Sequence, residues 1–168
     1  MSNYQKIGDV VLITPVTNSP FFVSNLFNEK FADHAPEYGE GVVCFYRLNW
    51  KRFIPLCYTN FLTYEEVILV GGAMTDGSVF RLMPKSTRDT LKRSGGVYYQ
   101  VLLFAFEAFK DEGEAFFGYA GDKRAYEIDI RAGFIPTPHE HLIVNFHKPI
   151  SEGRKIELIE KIHKLGPF

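Results

Sequence analysis

Cysteine is scarce, with two residues in a chain of 168. Cys44 and Cys57 show no metal-ligand spacing and follow no secretory signal, so both are expected as reduced thiols in a cytoplasmic protein. They fall on strands expected to be neighbours, where a cross-strand disulfide is geometrically open but disfavoured in a reducing compartment. An excess of charge of one sign is also lacking. Nineteen Lys and Arg against twenty Asp and Glu leave a formal net charge of −1, and no long like-charge run exists, which argues against a nucleic-acid footprint or an electrostatic membrane anchor. Apolar runs are cut by charge or glycine well short of membrane-spanning length, and there is no internal repeat or low-complexity segment. What remains has the length of one domain, residues 1–168, large enough to bury roughly 70% of its unfolded surface without disulfide or metal. The expected partner is a small molecule or a protein, not nucleic acid or membrane.

The stretch from Arg93 to Phe109 organises the rest. Two adjacent glycines after a cation, Arg93-Ser94-Gly95-Gly96, lead into an apolar run too long for a typical strand, which reads as a glycine turn opening a buried helix. The first N–H groups of a helix have no partner inside it, the dipole there is positive, and glycine admits an anion close to the backbone. Arg93 adds a fixed charge. The plainer reading is that Gly95-Gly96 merely turns the chain before a core helix.

Before that stretch, Asp9 to Val16 reads as a strand closed by Pro15, and Ser19-Pro20 as the N-cap and first-turn proline of a helix burying Phe22, Val23, Leu26, Phe27 and Phe31. Val42 to Leu48, Phe53 to Thr63 and Val67 to Met74 read as three strands with short links, an antiparallel meander. Gly71 and Gly72 in the third mark a bulge, a close backbone approach by a ligand, or a flexible strand end. Asp76 caps a short helix that stops before Pro84, and Ser86 begins a second turn; this excursion is either a lid or a surface feature. Beyond the central helix, Ala115 to Ala120 is a strand, and Asp122 caps a helix through Arg131 with Gly133 at its C-terminal side. Strand, helix and strand in succession make Val67 to Met74 and Ala115 to Ala120 parallel neighbours, with ligands expected at their carboxyl ends. The chain closes with a strand, His141 to His147, and a helix from Ser151 whose apolar face carries Ile156, Leu158, Ile159, Ile162 and Leu165.

From Val67 to Phe134 this order of strand, glycine loop, long helix, strand, capped helix and Gly-Phe resembles the GNAT superfamily of acetyl-CoA-dependent N-acyltransferases. Arg93, Ser94, Gly95, Gly96 and Val97 match the superfamily's loop motif, with Tyr98 departing from it at the last position. Asp122, Ala125, Asp129, Arg131, Gly133 and Phe134 lie along its second segment, with Asp122 in place of Asn and Asp129 in place of the usual Tyr. The resemblance covers about two thirds of the chain. It implies an α/β domain with a mixed, mainly antiparallel central sheet splayed between strands 4 and 5 and flanked by helices on both faces. It further implies acetyl-CoA or another acyl-CoA as co-substrate, its amides pairing near Gly72, Ala73 and Met74 and its pyrophosphate meeting the N–H groups of Ser94 to Tyr98.

The chemistry implied is direct attack of an amine, small-molecule or peptide, on the thioester, with an N–H of the glycine-bearing strand holding the oxyanion. The superfamily's acid is the Tyr that Asp129 replaces. An ordinary carboxyl, with a pKa near 4, is a poor donor unless burial raises it, so Tyr126, one turn earlier on the same face, is the other candidate. The plain alternatives are a solvated Asp129 and a core Tyr126. Alternation on a strand puts His139 and His141 on one face with Glu140 opposite; lacking a third ligand at a familiar spacing, they are read as polar strand residues or a substrate-facing pair, with His139 a candidate base and no metal expected. Two other function classes stay open: a non-catalytic module of this fold binding CoA or a protein partner, and a dimerisation domain using the aromatic-rich helices.

Overall fold

The computed structural model describes residues 7–168. Seven strands form one mixed sheet in the order β1-β2-β3-β4-β5-β7-β6, and the elements run β1 (Val11–Val16), α1 (Ser19–Phe31), β2 (Glu40–Asn49), β3 (Arg52–Tyr64), β4 (Val67–Thr75), a 3-10 turn (Val79–Leu82), α2 (Lys85–Arg93), α3 (Val97–Ala108), β5 (Phe116–Tyr119), α4 (Lys123–Ala132), β6 (Ile135–Pro136), β7 (Leu142–Asn145) and α5 (Glu152–Leu165). β1 pairs antiparallel with β2, and β7 antiparallel with both β5 and β6. β4 and β5 are parallel, as expected, with register Ile68↔Phe116, Leu69↔Phe117 and Val70↔Gly118. This is a mixed, mainly antiparallel α/β arrangement, as expected. The chain folds as two compact units, one holding residues up to Asn60 with Gly72–Phe104, the other Phe61–Gly71 with Ala105–Phe168.

In the first unit, Pro15 lies inside β1 and not at its end, opposite Val42; β1 is the outer strand of the sheet, where a residue without an N–H is tolerated. Ser19, expected as the cap, is the first residue of α1, and Asn18 stands at the N-cap position without a side-chain cap hydrogen bond. Val23 and Phe27 are its buried apolar residues, and they pack with Ala35, Val43, Tyr58 and Met74. Phe22 and Phe31, expected on the buried face, are 43% and 45% exposed. Cys44 and Cys57 are free and buried. Burial pushes the Cys57 thiol up to about 11 and the Cys44 thiol higher still, so neither is a thiolate at neutral pH.

In the second unit, successive residues of β5 serve opposite layers because side chains alternate across a strand. Phe117 joins Val67, Leu69, Leu142 and Val144 under Leu158 and Ile162 of α5. Phe116 meets Phe106 of α3 at 4.8 Å between ring centroids, and Phe106 also meets Phe134 at 5.4 Å. Ile156, expected on the buried face of α5, is 62% exposed. Ser151 caps that helix, its Oγ accepting from the Arg154 N–H at 3.2 Å.

Arg154 ties α5 to the sheet, reaching Glu66 at 3.0 Å and Glu114 at 2.7 Å. Lys161 also holds Glu66, at 2.9 Å. The Lys161 hydrogen bond keeps the Glu66 carboxyl below the ordinary value of 4.5, and the Arg154 hydrogen bond does the same for Glu114. A carboxyl lowered in the folded state adds stability above its unfolded value, and that contribution is lost as pH falls through the folded value. Arg154→Met is therefore expected to flatten the decline of the urea midpoint between about pH 5 and about pH 3. Identical acid limbs in parent and variant would refute this role.

Candidate functional site

β4 runs unbroken through Gly72, whose φ of +60 nevertheless lies in the left-handed region that side-chain-bearing residues avoid. On its α-carbon sit the Phe27 ring and Pro36, each 3.5 Å from where a Cβ would stand. Lys30 Nζ donates to the Ala73 carbonyl at 3.5 Å. Gly72 and Ala73 are half-buried, while Met74 is in the core. β4 continues to Thr75, whereas its register with β5 ends at Val70↔Gly118.

The glycine turn does two jobs. Gly96 N–H donates to the Leu91 carbonyl at 3.0 Å and Gly95 N–H to that of Lys92 at 3.1 Å. This is the Schellman closure of a helix C-terminus, with Gly95 (φ +99) in the left-handed position. Ser94 N–H donates to Thr90 at 3.0 Å. The amides of Ser94, Gly95 and Gly96, expected to meet a pyrophosphate, are thus committed to the carbonyls of α2. Gly96 in turn heads α3, its carbonyl accepting from the Gln100 N–H at 3.2 Å.

Gln100 was not anticipated as part of the turn. It is fully buried, donates from Nε2 to the Ser94 carbonyl, and among the described residues its enclosed Oε1 finds no donor. A polar residue inside an apolar helix run was the signal that could have found it. A Cβ at Gly95 would strike the Tyr99 ring at 2.6 Å, whereas one at Gly96 would meet nothing within 4 Å. Gly96, also with positive φ (+96), therefore presents an open flank. Arg93 is exposed, donating to Thr90 Oγ1 at 3.3 Å.

α4 carries Tyr126 and Asp129. Asp122 caps it as expected, Oδ1 accepting from the Ala125 N–H at 2.8 Å. Asp129 is not a solvated helix residue: it is 5% exposed, and its carbonyl accepts from Gly133 at 3.2 Å and Phe134 at 3.1 Å. Tyr126 is half-buried, not a core aromatic. His139 and His141 are not strand residues; they lie in the turn between β6 and β7, and His141 has a φ of +66. His139 Nε2 meets Glu160 at 2.7 Å, and its ring stacks on His163 with centroids 3.6 Å apart. That hydrogen bond holds the Glu160 carboxyl below its ordinary value. Arg93 to Tyr98 thus share one turn and Tyr126 and Asp129 share α4, while His139 is engaged by α5. Among the described residues no three His, Cys, Asp or Glu side chains are grouped to hold a metal ion, and no helix is long and apolar enough to cross a membrane.

No protein-family model and no curated protein matches the chain. Solved structures similar to it include Escherichia coli ElaA, with a TM-score of 0.46 and 11% identity over 80% of this chain and 99% of that one. Another is AtaT complexed with acetyl-methionyl-tRNAfMet, with a TM-score of 0.44 and 14% identity over 89% of this chain and 99% of that one.

Proposed function

We propose that the chain is an acyl-CoA-dependent N-acyltransferase, with acetyl-CoA the expected donor and an amine the acceptor. The observation that carries this reading is the positive φ of Gly72, a half-buried residue in the strand that the resemblance assigns to the donor. The donor would supply a thioester carbonyl open to attack by an amine. Main-chain N–H groups of Gly72 to Met74 would face charge developing on the acyl oxygen, in a setting partly shielded from water. The open flank of Gly96, the head of α3 at Val97 and Tyr98, and the Arg93 guanidinium would hold phosphate charge, while Ser94 and Gly95 keep the turn in shape.

Proton movement falls to Tyr126, Asp129 and His139. An ordinary phenol holds its proton at neutral pH and an ordinary carboxyl does not, which suits Tyr126 to the acid's role. The burial of Asp129 supplies the condition under which a carboxyl becomes a donor and keeps it a candidate. His139, with Nε2 committed to Glu160, would act as base only through Nδ1. Tyr126→Phe is expected to slow thiol release from acetyl-CoA, over a panel of amines, by about a hundredfold while leaving the thermal shift by acetyl-CoA intact. Unchanged turnover excludes Tyr126 as the acid; loss in Asp129→Asn instead would assign that role to Asp129.

The second reading, a CoA- or protein-binding module without catalysis, draws on Tyr98 and Asp129 standing where the superfamily pattern has other residues. A thermal shift with free CoA and no thiol release with any amine would select it.

A further inference from the structure

The turn between β2 and β3 carries a charge that the balance of the whole chain hides. From Gly41 to Tyr64 there are three cations, Arg47, Lys51 and Arg52, and no Asp or Glu. All three lie at or beside the turn, and Asn49 to Phe53 are exposed without interruption. Asn49 shapes the turn, its Oδ1 accepting from the Lys51 N–H at 2.9 Å. The pairing of β1 with β2 reaches only Tyr46, so Arg47, Leu48, Asn49 and the turn beyond them run past that neighbour. Trp50, the one tryptophan of the chain, is 85% exposed. The Arg47 guanidinium lies over its ring, 4.6 Å from the centroid. Among the described residues none of the three cations forms an ion pair, and the exposed Asp9, two residues before the last pairing of β1, reaches none of them.

An indole left in water beside a second exposed ring, Phe53, and three cations left without counter-charge occupy one turn. Both are satisfied together at the surface of an anionic bilayer, where indole rings settle at headgroup level and cations meet negative lipid. We infer that the β2–β3 turn docks on an anionic lipid surface, Trp50 and Phe53 entering the headgroup layer while Arg47, Lys51 and Arg52 meet the lipid charges. A protein partner seated on Trp50 would have to desolvate Lys51 and Arg52 beside it, whereas a headgroup layer leaves them hydrated. A nucleic-acid strand draws its affinity from a tract of phosphate contacts, which three cations on a chain of net charge −1 do not supply. That near-zero net charge excludes a long-range field, and it leaves this local contact open. Three cations and two rings give reversible association, not permanent anchoring. The inference is independent of the acyl-transfer reading.

The test is a titration of the full chain with vesicles, read by the fluorescence of Trp50, which reports on the turn without any label. With vesicles of phosphatidylserine and phosphatidylcholine in equal parts, the emission is expected to move to shorter wavelength and to lose its quenching by acrylamide. With phosphatidylcholine alone it is expected to stay where it is. At about 1 M salt, where the Debye length is about 3 Å, the response to the mixed vesicles should fall to that level. Lys51→Gln combined with Arg52→Gln, both at exposed positions, is expected to keep the parent Tm and to weaken partition onto the mixed vesicles by about tenfold or more. Trp50→Ala, followed by co-sedimentation, should weaken it as well. An emission unmoved by mixed vesicles, an equal response to both kinds, or unaltered partition in the double variant overturns the proposal, and the first two need no variant to fold. So does a response to hexaglutamate or to a single-stranded oligothymidylate with none to mixed vesicles, which would assign the turn to an acidic protein segment or to nucleic acid.

Discussion

Gly96→Asp is expected to fold and to lose the stabilisation that acetyl-CoA is proposed to give the parent chain. A side chain at position 96 enters open space, since nothing lies within 4 Å of its Cβ, so the substitution adds no clash. It adds backbone strain, because φ is +96 there, on the order of 1–3 kcal/mol. Asp is among the residues that tolerate positive φ, and a carboxylate beside the head of α3 interacts well with the helix dipole, which offsets part of that cost. What the carboxylate does not tolerate is a second anion in the same place. At a ligand concentration of about 100 times Kd the parent gains about 2.7 kcal/mol, or roughly 5–10 °C for a chain of this size, and the variant should gain about 1 °C or less. Gly96→Ala, strained without being charged, should keep most of the shift. A full shift in Gly96→Asp, or none in the parent with any acyl-CoA or free CoA, would remove the donor from this turn.

The same turn shows where sequence reasoning was sufficient and where it stopped. Gly95-Gly96 after Lys92-Arg93 is one signal with two physical meanings, a helix C-cap and a helix head, and the structure uses it for both. Only the length of α2 decides how many amides the cap consumes, and the polar stretch of Lys85–Arg93, read as a single turn begun by Ser86, gives that length away poorly. The meander was legible to within two residues at each end because alternation and two-residue links at Trp50-Lys51 and Glu65-Glu66 leave little freedom.

The histidines were not legible. β7 is set by the apolar run Leu142–Asn145, and the turn before it places His141 at positive φ without a glycine to announce it. Burial of Asp129 likewise comes from packing in the folded unit: Ala125, Tyr126 and Ala132 share its face at helical spacing, but an Asp among them does not announce itself as buried. β6, two residues long, is below the length at which any periodicity exists.

Ser19 belongs to the same class of silent positions, and it underlies the second large effect. Gly41→Ala is expected to destabilise the protein sharply although the backbone there has no need of glycine. Gly41 pairs with Val16 at the end of β2, and Ser19, the first residue of α1 and 4% exposed, sits directly on its α-carbon. A methyl group would collide with Ser19 Oγ and Cβ and stand 2.8 Å from Cε2 of the buried Tyr58.

Overpacking of this kind costs about 1–3 kcal/mol, here roughly 3–10 °C in Tm. The strain has to move α1, which carries Phe27 onto Gly72 and Lys30 to the Ala73 carbonyl, so β4 at Gly72 and Ala73 should respond as well. Because the cause is steric, it should be relieved in part by Ser19→Gly: the double variant is expected to be more stable than Gly41→Ala alone, with a coupling of about 0.5–2 kcal/mol in a double-mutant cycle, and the residue of the loss assignable to Tyr58. Thermal unfolding of the four chains measures it. A Gly41→Ala protein as stable as the parent, or simple additivity with Ser19→Gly, would show that α1 does not rest on this glycine.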